Sequence, residues 1–370
     1  MSGESPRTPP DFRDALEACR RGIEQRITPG LQLSVRWRDA AGVWHVWDHV
    51  DGRLTYDAAA PRVREDTPYD FASVTKAIVA LCAVRCASRG EFALDRMLSV
   101  YLVESGGRFT GSRTVRALAS HRSDLPAWKP FFQAVSAADA ERGTTRERIL
   151  ADVVATERED AHGEARYSDV NYILLGEALA RARRASLAQI VLDEIGAPLG
   201  LGTVLHFRGV GAVDRTADIA PTEQCAWRGR IVQGNVHDEN AYALGGTSGH
   251  AGLFGTATAL ADVGVASLRA IDGDAAWLAP DAMREMIAPL PGGSHRMGWD
   301  GKSPVGSSVG SVLGPRTFGH LGFTGTSLWC DPDAHVVVAL VTNRVHPSRD
   351  NPAIKDLRVA VHDAIGNAVR

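Results

Sequence analysis

A serine placed three residues before a lysine is the spacing that lets an amine reach a hydroxyl. The sequence has this pair at Ser73 and Lys76, within Phe71-Ala-Ser73-Val-Thr-Lys76 and just ahead of the apolar run 77–84. On a helix opening at Ser73 the two side chains share one face, a turn apart. A serine alkoxide is costly to make at neutral pH, so a lysine whose pKa is lowered by burial is suited to accept the proton. The N–H groups of the helix start would face the oxyanion that then develops. Alone, the pair fits an N-cap serine with a snorkelling lysine equally well.

Two further segments supply context. Arg166-Tyr167-Ser168-Asp169-Val-Asn171-Tyr172 precedes the helical run 173–176, which puts Tyr167 at a loop-to-helix junction where a phenol can point into a cleft, with Ser168 or Asp169 as the cap. In residues 318–329, FGHLGFTGTSLW, glycines that let backbone approach a ligand flank His320 at the start of an expected strand. A rival chemistry is metal binding. His237-Asp238-Glu239, His250, His320 and His346 are zinc-ligand types, but their spacings match no compact signature such as H-E-x-x-H. Isolated histidines in glycine-rich loops usually bond to backbone, so no metal or other cofactor is expected. Gly245-Gly246 and Gly249 lack the lysine and preceding strand of a phosphate loop.

The elements that must hold these residues are legible in the periodicity. Residues 11–26 repeat apolar positions at helical spacing up to Pro29-Gly30. Residues 31–37 and 43–50 alternate around a turn at 39–42, predicting a hairpin. The middle of the chain is rich in Ala, Arg and Glu and predicts helices, among them 171–183 and 187–194. Strands are expected near 296–299, 327–330 and 335–342, then a helix after Pro352. The expected fold is an α/β (α+β) sandwich, an antiparallel sheet flanked by helices. Residues 1–90 and 242–370 would form the sandwich lobe, and 91–241 an inserted helical lobe, with the active site in the crevice between them.

In order and spacing these segments resemble the serine hydrolase superfamily of class C β-lactamases, penicillin-binding DD-peptidases and related esterases, where S-x-x-K, Y-x-N or Y-S-x, and K-T-G or H-x-G meet in one cleft. The resemblance extends over 70–76, 115–126 (VRALASHRSDLP), 167–176, 236–254 (VHDENAYALGGTSGHAGLF), 319–332 and 342–351 (TNRVHPSRDN). The VHDENA, GHAGLF and NRVHP strings resemble a subgroup that includes enzymes removing peptides from muramyl sugars. The resemblance implies Ser73 as nucleophile, Lys76 as its partner, Tyr167 as second proton carrier, and the backbone N–H groups of Ser73 and Phe323 as oxyanion hole. It implies substrate contacts from His320, Gly322 and Asp169, and the polar His237, Asp238 and His250 are expected to line the cleft, with His237 and His250 on the substrate, or to brace its loops. Two departures stand out. His320 replaces a lysine that holds carboxylates, and a mostly neutral imidazole argues against efficient β-lactamase activity. Asp169 replaces a common Asn, so a group that only accepts hydrogen bonds stands where an amide does both. Ser123-Asp124-Leu125-Pro126 differs from a commoner S-G-L-P only within a turn.

The expected reaction is therefore acylation of Ser73 by a small-molecule amide, such as a muramyl peptide, or by a small ester. The alternative of another class is a non-catalytic β-lactam- or muropeptide-binding sensor. Composition agrees. Net charge −3, with the two signs interspersed, gives no reason to expect nucleic acid or a membrane surface as partner. No apolar run approaches the roughly 20 residues of a membrane span. The first thirty residues show no signal-peptide core, and the five scattered cysteines read as free thiols. The expected location is the cytoplasm.

Overall fold

The computed structural model describes residues 10–159, 164–212 and 216–370. Helix α1 (Arg13–Glu24) buries Ala15, Ala18, Cys19 and Gly22 on one face and leads into the hairpin β1 (Gly30–Arg38) and β2 (Trp44–Gly52). The short strand β3 (Tyr69–Asp70) opens α2 (Val74–Ser88). The middle carries α3 (Val115–Ala119), α4 (Ala137–Glu141), α5 (Arg146–Val154), α6 (Asp169–Arg183), α7 (Leu187–Val191) and α8 (Glu239–Ala243). Its strands β4 (His206–Phe207), β5 (Gln224–Cys225) and β6 (Arg230–Ile231) are short. After β7 (Leu253–Gly255) come α9 (Ala257–Ile271), α10 (Pro280–Ile287), β8 (Asp300–Gly301), β9 (Phe318–Leu321), β10 (Ser327–Asp331), β11 (Val336–Thr342) and α11 (Ile354–Val369).

Both ends of the chain build one antiparallel sheet of order β2-β1-β11-β10-β9-β8. The register sets Leu33 opposite Leu340 and Trp329 opposite Val338. Side chains alternate between faces along a strand, so Leu31, Leu33, Val35, Trp329, Val336, Val338 and Leu340 pack in one core with α1 and α11. Val337, Ala339 and Val341 enter the other core with Cys330 and α9. That two-sided cover is why β11 is one continuous apolar run. Gly264 brings α9 down onto it, since a Cβ there would lie 2.5 Å from Val337 Cγ1.

Helix α2 has no polar side. Twelve of its residues, from Val74 to Cys86, are buried, as expected of a helix that runs through a core. All five cysteines, Cys19, Cys82, Cys86, Cys225 and Cys330, are free and buried. The strand expected at 296–299 is instead a turn, closed by Arg296 N–H donating to Trp299 O at 2.8 Å. Met297 and Trp299 are apolar there because both are buried, and Gly298, at φ +79°, sits so close to α2 that a Cβ would meet Ala80 at 2.3 Å. No helix among the described residues is long and apolar enough to cross a membrane.

Candidate active site

The turn before α2 is built to present Ser73. The buried Asp70 carboxylate accepts the N–H of Ala72 at 2.8 Å and that of His237 at 2.6 Å. Ala72 is thereby held at φ +45°, a left-handed conformation that costs a non-glycine residue energy and persists only where its surroundings impose it. Ser73 stands at the N-cap position, yet its hydroxyl caps nothing. It receives instead a hydrogen bond from Lys76 Nζ at 2.9 Å. Lys76 does not snorkel either, being fully buried. Both halves of the plainer sequence reading are absent.

Lys76 Nζ also donates to His250 O at 3.0 Å and lies 2.7 Å from Asp169 Oδ1 in an ion pair. Ser168, not Asp169, caps α6, accepting the Asn171 N–H at 3.2 Å, which leaves the Asp169 carboxylate turned to Lys76. This corrects the expected pKa. Burial alone would push the Lys76 ammonium down, but the Asp169 carboxylate and the Tyr167 phenol beside it hold it above its ordinary value. Tyr167 lies with Lys76 Nζ 4.9 Å from its ring centroid, and both Lys76 and Ser73 act on its phenol. Burial pushes that phenol up, with Lys76 acting against it.

The opposite wall is the turn between β9 and β10. Gly322 N–H donates to Thr326 O at 2.7 Å, and Thr324 Oγ1 to Asp70 O at 2.7 Å. A Cβ on Gly322 would meet Phe71 O at 2.4 Å, so the glycine's close approach is to the turn that presents Ser73. Phe323 follows, and among the described residues neither its N–H nor that of Ser73 has a hydrogen-bond partner. His320 lies late in β9 rather than at a strand start. Its Nδ1 bonds to Leu321 O at 2.8 Å, so Nε2 is left with the lone pair. Burial and then Lys76 push its pKa down to about 3, so the ring is neutral at pH 7.

Sequence reasoning missed His121 and His295. Their ring centroids lie 4.8 and 5.4 Å from that of Tyr167, and His320 lies at 6.0 Å. Burial, with neighbouring positive charge, pushes both down as well, so three uncharged imidazoles surround the phenol. His121 Nδ1 accepts the Ser168 N–H at 3.1 Å. His121 and Asp124 both adopt φ +60°, a left-handed conformation that glycine takes without strain. No local signal marks His295.

The other histidines brace loops. His237 pairs with Glu223 at 2.8 Å and stacks on Phe323 at 5.7 Å. His250 is held between Asp238 and Ser248, each at 2.8 Å, which aims its carbonyl at Lys76. His346 bonds to Thr222 O. These rings spend nitrogens on protein partners rather than converging. Among the described residues the group with clustered ligand atoms is Cys86, Glu91 and Glu194, whose carboxylates Arg85, Arg89 and Arg183 already engage.

An antiparallel sheet backed by helices, a serine and lysine at the head of a buried helix, and a tyrosine closing over them define a serine hydrolase of the β-lactamase and DD-peptidase type. The chain belongs to the Beta-lactamase family, whose model matches residues 23–363. It is 28% identical over 375 residues to an Escherichia coli O157:H7 protein provisionally named a D-alanyl-D-alanine carboxypeptidase, covering 92% of this chain and 84% of that one. Its structure is similar to the LovD6 mutant of simvastatin synthase from Aspergillus terreus, at TM-score 0.71 and 21% identity over 96% of both chains. It is also similar to EstCE1, a hydrolase with promiscuous acyltransferase activity, at TM-score 0.71 and 19% identity over 95% and 97%.

Proposed function

We propose that the protein hydrolyses a small peptidoglycan-derived amide, such as a muramyl peptide, through an acyl-enzyme on Ser73. The observation that carries this is the Ser73 Oγ to Lys76 Nζ hydrogen bond at 2.9 Å around a lysine with no solvent exposure. In this reading the Lys76–Tyr167 pair sheds one proton before Ser73 can be deprotonated, and the proton is shared by the two groups. Ser73 Oγ then attacks the carbonyl, the Ser73 and Phe323 N–H groups hold the oxyanion, and Tyr167 returns a proton to the leaving nitrogen. Water attacks the acyl-enzyme in reverse order. The carboxypeptidase name carried by the Escherichia coli relative supports an amide of this kind.

A second reading, a small-ester hydrolase, is favoured by the uncharged His320, which supplies no fixed cation for a substrate carboxylate. Intact-mass analysis after incubation with muropeptides, p-nitrophenyl esters and a fluorophosphonate separates the two. A fluorophosphonate adduct that survives Ser73→Ala overturns both. Turnover of esters without any muropeptide adduct or cleavage leaves the second.

A further inference from the structure

Helix α11 reaches the oxyanion wall through one buried cation. Arg358 is 6% exposed, and its Nη2 donates to Gly322 O and to Thr326 O, both at 2.7 Å. Among the described residues no carboxylate pairs with it, its Nε has no partner, and the charge acting on it is the like-charged Arg344. An unpaired guanidinium inside a protein is a cost to stability rather than a source of it. Nor do the two carbonyls need it. Thr326 O already accepts the Gly322 N–H at 2.7 Å, and Gly322 O the Gly325 N–H at 3.1 Å.

The position of the bond suggests its use. Gly322 O belongs to the same peptide unit as the Phe323 N–H. A charge-assisted bond to that carbonyl draws electron density out of the amide and makes its N–H a stronger donor, while the two-carbonyl fork fixes the direction in which the N–H points. We infer that Arg358 is a positioning residue that orients and polarises the Phe323 N–H of the oxyanion hole. The inference rests on Ser73 being the acylated residue.

Arg358→Met tests it, because it removes the cation while keeping much of the volume and leaving both carbonyls bonded. The expected result is a Tm equal to or above that of the wild type, with kcat lower by about ten- to a hundredfold and KM little changed. Affinity for an aryl boronic acid, whose tetrahedral adduct places an oxygen in the hole, falls by the same factor as kcat/KM. Arg358→Lys restores part of both. A role in folding alone gives the opposite pattern, a lower Tm with kcat per folded molecule unchanged, and overturns the inference. If the Met variant does not fold, Arg358→Gln, which can donate to one carbonyl, carries the same comparison. Fluorophosphonate labelling of wild-type Ser73 separates the two levels. An unlabelled Ser73 overturns the hydrolase reading and this inference together, whereas a labelled wild type and a fully active Met variant overturn this inference alone.

Discussion

Asp169 is the residue where this site departs most from a lysine that burial alone would leave unprotonated. A carboxylate 2.7 Å from Lys76 Nζ favours the ammonium, so the proton that must leave before Ser73 can react leaves at higher pH than it would beside an amide. Removing that negative charge lowers the pKa of the Lys76–Tyr167 pair. The acidic limb of the kcat/KM profile of Asp169→Asn is accordingly expected to move to lower pH, and a limb that stays put or rises with the substitution refutes this role. Tyr167 is the second residue with a specific expectation. An amine leaves only with a proton, whereas p-nitrophenolate leaves without one, so Tyr167→Phe is expected to slow amide cleavage by about 10²- to 10⁴-fold and ester cleavage far less. Equal losses on the two substrates would count against Tyr167 as the acid.

At the scale of elements, the site is a meeting of α2, the start of α6, the loop before β7 and the β9–β10 turn, and their spacing depends on missing side chains. A Cβ on Gly249 would lie 2.0 Å from Tyr172 O, and one on Gly176 would lie 2.8 Å from Gly249 Cα. Gly249→Ala is therefore expected to push the loop from α6, lowering stability by roughly 1–3 kcal/mol. It should also weaken activity, because the adjoining His250 carbonyl holds Lys76. Thermal melting and kcat read the two effects. How much of this was legible in the sequence follows the same division. The spacing of Ser73 and Lys76 is ambiguous alone, and these two with Tyr167 stand out through the resemblance of several colinear segments, whereas β1, β2, β10 and β11 are marked by alternation or a continuous apolar run. The turn at 296–299 mimics a strand because Met297 and Trp299, two positions apart, are both buried in the same core. His121, His295, Asp70 and Arg358 act through partners remote in the chain, as Asp70 does through the His237 N–H, and nothing in their neighbours records that. The sign of the Lys76 shift was hidden for the same reason, since burial is readable from an apolar run but the carboxylate that overrules it arrives from another helix.

On the scale of the whole molecule, two cores lie on either side of a sheet closed by strands from both ends of the chain. The five buried thiols are spread across this arrangement, on α1, α2, β5 and β10. Burial pushes the Cys19 thiol up to about 12 and those of Cys82 and Cys330 up as well, so in the closed fold all five are shielded from a reagent and these three are also reluctant to form the reactive thiolate. An alkylating agent can reach them only when the surrounding structure opens. The chain thus carries its own set of opening gauges, on α1, α2, β5 and β10, with no label to be engineered in. In mild denaturant, mass-resolved alkylation should modify Cys225, held by the two-residue strand β5, before Cys82 on the core helix α2. Modification of Cys82 first, in protein that still turns over substrate, would show α2, the helix that carries Lys76, to be the loosest part of the molecule rather than the firmest.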